Sequence, residues 1–315
     1  MPDIRASRSG SHMLVHTVAC ERHIWFAVPC LQSLLTFCEE PVELAIHDDG
    51  SLTQESADLL ASALPNSILV SRHSADAEMA DALARFPCMA KARSELPHVL
   101  KLCDVTLMHP ESAIVRYVDT DVLFQRPFRG LFSDRSAAGA FMMDSHDSFG
   151  AHPADFWPLG PLRLASRLNS GLFWMRRDRV DLERMEYLFK RWGPRRIRRY
   201  HGWFEQTVWA DQAWRARCSM YDPAQLRTAT PADTSYHTLT GVHFVTPTRT
   251  MLKAALLAVP SGSGKASPAA IEDVRLCPPK PYGLCAAVFD AVRAIGSLAF
   301  SGGTRLTGVA SGDKN

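Results

Sequence analysis

Apolar positions along the chain fall into short unbroken runs that alternate with stretches of helical spacing. LVHTVAC (14–20) is short, β-branched and continuous, the pattern of a buried strand. The stretch 22–38 then places Ile24, Val28, Leu31, Leu34 and Leu35 at helical intervals, with Pro29 marking a kink or a late start. VELAIHD (42–48) reads as a second strand and runs into Asp48-Asp49-Gly50. Ser51 followed by Gln54 fits a capping box that opens a helix at about 52–64. A third strand is expected at SILVSR (67–72), with a helix near 74–86. The segment 94–108 reads as a helix leading into the strand AIVRYVD (113–119). AAGAFMM (137–143), GLFWMR (171–176) and GVHFVT (241–246) are further strands, and helices are expected at about 178–192 and 202–214.

Strands alternating with helices imply βαβ units, hence an α/β fold with a mainly parallel central sheet. In such sheets ligands bind at the carboxyl ends of the strands. The Ser-, Gly- and Pro-rich stretch 260–270 reads as a linker between a body at 13–259 and a helical C-terminal extension within 260–315. In that extension, residues 283–300 put Leu284, Val288, Val292, Ile295 and Leu298 on one helical face, opposite Asp290, Arg293 and Ser297. Such a helix either docks on the body or lies on a membrane. Residues 1–12 are polar and lack an apolar segment, so they read as a leader or a cloning scar outside the fold.

Composition narrows the classes. Of 315 residues, 46% are apolar and 22% charged, ordinary for a globular protein. Thirty-five Lys and Arg against 33 Asp and Glu leave a net charge of +2, which gives no support to nucleic acid as a partner. Eight cysteines without a CxxC pair read as reduced thiols, so the expected location is cytoplasmic. KRWGPRRIRR (190–199) carries six basic residues, with Trp192 and Trp203 close by. That run suits a solvated helix end, an anionic acceptor or the anionic inner face of a membrane.

The candidate chemistry centres on Asp119-Thr120-Asp121, which follows the strand AIVRYV directly. Alternation puts both carboxylates on one side of the extending chain, where they can face one cation. Two carboxylates at a strand end suit Mg²⁺ or Mn²⁺. The ordered series HDDGS (47–51), KLCD (101–104), YVDTDVLF (117–124), NSGLFWM (169–175), FEQTVWA (204–210) and GVHFVTP (241–247) resembles nucleotide-sugar glycosyltransferases of the GT-A fold, most closely the family-8 type. The resemblance covers about 13–250. It implies that Asp119, Asp121 and His243 are metal ligands, that the cofactor is Mn²⁺ or Mg²⁺, and that the donor is a nucleotide-sugar, a UDP-sugar first.

The same resemblance sets Asn169, Glu205 and Gln206 against the reacting sugar, and Arg249 where the family has a phosphate-binding lysine. Thr246 replaces the family's glycine in that loop, and its tryptophan is missing. Val99 stands where the family often has an arginine, a loss that Lys101, Arg93 or Arg116 is left to compensate. Asp48 and Asp49 are expected near the nucleotide or capping the next helix, and Thr17 and Ala19 near the base and ribose. Glycan or other hydroxyl acceptors, envelope or lipid-linked glycans among them, are the expected partners. Peripheral membrane contact is expected through 190–199 and 283–300.

Two look-alikes are set aside. Gly262-Ser263-Gly264-Lys265 lacks the spacing and hydroxyl residue of a phosphate-binding loop, and no GxSxG nucleophile occurs. The reading is a metal-dependent, retaining glycosyltransferase. The rivals are a non-catalytic protein of the same fold that binds sugar nucleotides, and a sugar nucleotidyltransferase. The latter needs a Gly-rich basic loop after the first strand, where this chain has Cys20-Glu21-Arg22-His23.

Overall fold

The computed structural model describes residues 12–111, 113–133, 138–258 and 270–292. In chain order the elements are β1 (Met13–Ala19), α1 (Ile24–Phe37), β2 (Val42–Asp48), α2 (Gln54–Ala63), β3 (Ser67–Val70), α3 (Arg72–Ala82), α4 (Pro87–Glu95), α5 (Leu100–Leu107), β4 (Ile114–Val118), β5 (Val122–Phe124), β6 (Phe128–Arg129) and β7 (Gly139–Met143). They continue with β8 (Leu164–Ala165), β9 (Leu168–Arg176), α6 (Leu182–Ala216), β10 (Ser219–Tyr221), β11 (Leu226–Thr228), β12 (Gly241–His243), α7 (Arg249–Ala258), β13 (Glu272–Asp273), β14 (Leu276–Cys277) and β15 (Pro281–Tyr282).

The central sheet has 11 strands in the order β3-β2-β1-β4-β9-β7-β11-β12-β5, with β10 joined to β7 and β14 to β10. Most pairings are parallel, as the alternating pattern predicts. The exceptions are β9, which runs antiparallel between β4 and β7, the β12–β5 pair, and the β10–β14 pair. Continuous apolar runs fit this sheet because both of its faces are covered. In β9, Phe173 and Met175 join the core under α3–α6, while Leu172 and Trp174 join the core of the opposite face with Val15, Ile46 and Leu34. Truncating a side chain as deeply buried as Trp174 to alanine costs about 3–5 kcal/mol, enough to threaten a domain of ordinary stability.

Several boundaries differ from the sequence reading, each for a local reason. Thr53, not Ser51, caps α2: its Oγ accepts the Ser56 N–H at 3.2 Å, while Ser51 is held by Asp49. The helix expected at 94–108 is two helices, because Pro97 disfavours helical backbone at Leu96. The helices expected at 178–192 and 202–214 are one, α6, with Gly193 (φ +65°) and Pro194 as its irregular point. The strand expected at 241–246 stops at His243.

Residues 270–292 pack on the body: β13 pairs with β6, β14 with β10 and β15 with β8. The helical stretch 284–292 seats Ala287 and Leu284 against the core and leaves Val288 and Val292 exposed, so among the described residues only Leu284 of the apolar face counted from sequence docks. Residues 293–300 of that face, the linker and Gly262–Lys265 lie outside the described residues.

Candidate functional site

Three strand ends meet at one point. Asp119 follows β4, Asp121 opens β5, and His243 closes β12, whose pairing with β5 puts His243 opposite Val122. One ligand atom from each of Asp119, Asp121 and His243 lies within 4.8 Å of the others. His243 Nε2 is 2.9 Å from Asp121 Oδ1 and 3.6 Å from Asp119 Oδ2. The turn that carries both aspartates is fixed by backbone bonds: Asp119 N–H donates to Gly171 O, Val122 N–H to Asp119 O, and Phe244 N–H to Asp121 O.

The imidazole is oriented from behind. Asn169 Oδ1 takes the Gly171 N–H at 2.9 Å and faces His243 Nδ1 at 2.8 Å. An amide oxygen only accepts, so the Nδ1 proton sits on the Asn169 side and Nε2 is turned to the carboxylates. Asn169 itself cannot flip, because its Nδ2 donates to Asp144 Oδ2 and Gln206 Oε1 at 3.4 and 3.3 Å. Gly171 makes the approach possible: a Cβ there would overlap the His243 ring and Asn169 Oδ1.

Charge inside the cluster is balanced by two cations of the chain. Lys101, on α5, reaches Asp119 at 3.0 Å and Glu205 at 3.7 Å, lying over the Tyr117 ring. Arg249, at the start of α7, places Nε and Nη2 on Asp121 Oδ2 at 2.9 and 2.7 Å. Burial opposes the charge on Lys101, but Asp119 and Glu205 outweigh it and raise its pKa. Burial likewise disfavours protonated His243, and Asp121 outweighs it upward. For Asp121 burial pulls up, while His243 and Arg249 hold the carboxyl well below the usual range. Glu205 goes the other way: burial dominates over Lys101 and pushes it up to about 7. Its Oε2 accepts from Ser170 Oγ at 3.0 Å, and its Oε1 is buried without a hydrogen-bond partner among the described residues.

The structure therefore brings together Lys101, Asp119, Asp121, Asn169, Glu205, Gln206, His243 and Arg249. Of the three residues left to compensate for Val99, Lys101 alone is in the cluster; Arg93 is bound by Asp104, and Arg116 donates to Ile114 O. No hydrogen bond or ion pair joins Thr17, Ala19, Asp48 or Asp49 to it among the described residues. Thr17 and Ala19 are fully buried in β1. Asp48 Oδ1 accepts from the N–H groups of Gly50 and Leu52, and Asp49 Oδ1 from Ser51, so both stabilise the turn and neither caps α2.

Sequence reasoning missed Tyr117, Asp144, Ser170, Gly171 and Thr228. Tyr117 Oη donates to Asp119 Oδ1 at 2.6 Å, and Thr228 Oγ1 donates to Asp144 Oδ1 at 2.8 Å. The available signal was parity: Tyr117 lies two residues before Asp119 on the same strand face.

No family model and no curated protein sequence matches the chain. Among solved structures it is similar to mouse xyloside xylosyltransferase 1 (13% identity, 75% of this chain and 98% of that one, TM-score 0.46). It is also similar to the galactosyltransferase LgtC solved with donor and acceptor sugar analogs (13%, 79% and 98%, TM-score 0.45). A third is the mannosyltransferase Ktr4p from S. cerevisiae (12%, 65% and 66%, TM-score 0.41).

Proposed function

We propose that the chain is a GT-A glycosyltransferase that moves a sugar from a nucleotide-diphosphate sugar, a UDP-sugar first, to a hydroxyl acceptor with Mn²⁺ or Mg²⁺ bound at Asp119, Asp121 and His243. The observation that carries this reading is the convergence of two carboxylates and one oriented imidazole at the carboxyl end of the sheet. The donor set fits a divalent cation: two hard carboxylate oxygens plus an imidazole whose far nitrogen is held by Asn169. Bound there, the cation acts as a Lewis acid on the diphosphate that departs from the sugar.

The other residues follow from their positions. Arg249 presents a planar fork of donors, suited to phosphate oxygens beside Asp121. Lys101 keeps Asp119 and Glu205 from repelling each other and the donor's charge. Asn169 donates to Gln206 and to Asp144, and Gln206 donates to Ser148 O, a rigid polar wall for the sugar's hydroxyls. The family-8 resemblance assigns retention of anomeric configuration, which product analysis by NMR reads directly.

Titration calorimetry with UDP, GDP and CDP, each with and without Mn²⁺, on the wild type and Asp121→Ala tests the site. The expected result is one nucleotide that binds only when both Mn²⁺ and Asp121 are present. Absence of metal-dependent binding to all three sinks the transferase reading and favours the non-catalytic one.

Exposed Phe289 and Val292, and the basic run on α6, also support peripheral contact with the cytoplasmic face of a membrane. In that run Trp192 is buried, Arg196 is bound to Asp155 and Arg198 to Glu95. Flotation with anionic vesicles checks the contact: protein that stays at the bottom of the gradient excludes it.

A further inference from the structure

A cavity of about 910 Å³ lies between the C-terminal turns of α6 and the loop before β8, apart from the carboxylate cluster. Trp157, Trp214 and Pro279 line it as flat apolar surfaces, together with Arg163, Arg215 and Arg217. From these residues we infer a second binding site, for an acidic saccharide held by indole stacking and guanidinium pairing. The inference stands whether or not the chain is a transferase.

Trp157 is 61% exposed, which means little on a mobile loop. This loop is braced at several points. Trp157 N–H donates to Leu162 O at 3.2 Å, and Leu162 N–H donates to Asp155 O at 2.8 Å. Phe156 and Leu162 are buried beneath it, and Arg196 holds the Asp155 carboxylate. Arg184 Nη2 donates to Pro161 O at 3.0 Å, tying the loop to α6. The backbone that carries the indole is thus held in place, which lowers the ordering cost of stacking on it.

The charge is equally directed. Arg163 lies over the Trp157 ring at 5.0 Å, and neither it nor Arg217 has an ion-pair partner among the described residues. Arg215 touches a carboxylate only at 3.9 Å, on Asp181. The acidic wall residue, Asp211, is neutralised by Arg184 at 2.7 and 2.9 Å and does not repel an anion. Arg217 also takes a left-handed backbone (φ 57°), an unusual conformation for a non-glycine residue, at the rim of the cavity. Flat apolar faces match the C–H faces of sugar rings, and uncommitted guanidinium groups match carboxylate, sulfate or phosphate substituents.

Hexagalacturonate and a heparin-derived hexasaccharide, with maltohexaose as the neutral control, serve as probes in calorimetry on the full chain. At least one acidic hexasaccharide should bind at least tenfold tighter than maltohexaose. Trp157→Ala and Arg163→Gln should each weaken it about tenfold, the size of one lost stacking or charged contact. Asp121→Ala and the control Arg195→Gln should leave it unchanged, which separates this site from the carboxylate cluster and from general basicity. Because Trp157 and Arg163 are exposed, unchanged melting temperatures should accompany the loss. Equal affinity for acidic and neutral sugars overturns the inference, and so does acidic binding that survives both substitutions. Binding to phosphatidylglycerol vesicles that is lost in Trp157→Ala, without saccharide binding, reassigns the patch to a membrane and also overturns it.

Discussion

Two histidine clusters are buried against the same sheet, and they are built on opposite principles. His16 in β1 faces His47 Nε2 through Nδ1 at 2.7 Å and His109 Nε2 through Nε2 at 2.6 Å, a chain of three imidazoles. Burial first, then its two histidine neighbours, lowers the pKa of His16; burial dominates for His47 and His109, bringing them to about 3 and about 4. These rings are neutral packing units that hydrogen-bond to one another. His243 is as deeply buried, but Asp121 outweighs burial and raises its pKa. The comparison teaches that burial does not decide what a histidine does. The partner of each ring nitrogen does.

Acidification should separate the clusters most. Above about pH 7.5, a full unit over the unfolded value, the three packing histidines are neutral in both folded and unfolded chains and their full stability is present. As pH falls, the unfolded chain binds protons that the folded chain refuses, so stability drops until the folded values near 4 and 3 are reached. His47 and His109 should each remove about 2 kcal/mol by pH 5, and His16 acts in the same direction. Urea midpoints at pH 7, 6 and 5 measure this, and a flat profile breaks the contrast.

Lys101→Met comes next. It strips Asp119 and Glu205 of their shared cation and should cost about 3 kcal/mol at pH 8. Glu205 already titrates near 7 because burial outweighs Lys101, so without the lysine it keeps its proton to higher pH. A raised carboxyl stabilises below its folded pKa and loses that contribution above it, so the penalty should shrink at pH 6. An equal cost at both pH values would show that the lysine acts by packing alone.

His243→Gln sharpens the comparison from the other side. Mn²⁺ affinity, read by calorimetry, should fall about 100-fold, or about 2.8 kcal/mol. The same change at His16 should leave Mn²⁺ affinity untouched. The smallest effect is expected from His109→Gln: the ring is half-buried at the end of the chain of three, and its amide replacement should cost about 1 kcal/mol in urea unfolding.

How much of this was legible in the sequence follows from what each signal encodes. β2 was readable to the residue, because VELAIHD is a short, mostly apolar run that ends in two aspartates and a glycine. The direction of β9 was not, since an apolar run buried on both faces looks the same in either direction. α6 was divided by Gly193-Pro194 and by a basic stretch with few apolar positions. β10, β11 and β14 are three residues or fewer, too short for any period to show. In the site, Asp119, Asp121, Asn169, Glu205, Gln206, His243 and Arg249 were readable because they sit in motifs. Thr228 and Asp144 were not, because each is a single polar residue outside those motifs whose partner is far along the chain, and Ser170, though inside NSGLFWM, gave no sign that it meets Glu205 35 residues on.

That distance also sets when the pocket comes into being. Arg249 and Asp121, joined side chain to side chain, are 128 residues apart in sequence. During synthesis both aspartates emerge, together with Lys101, long before β12 and α7 exist to receive them. A chain folded only as far as α6 carries the acidic turn but not the imidazole or the guanidinium that completes it. The carboxylate–imidazole cluster is therefore among the last parts of the molecule to be assembled, and a half-made chain lacks the complete set of side chains that the proposed function requires.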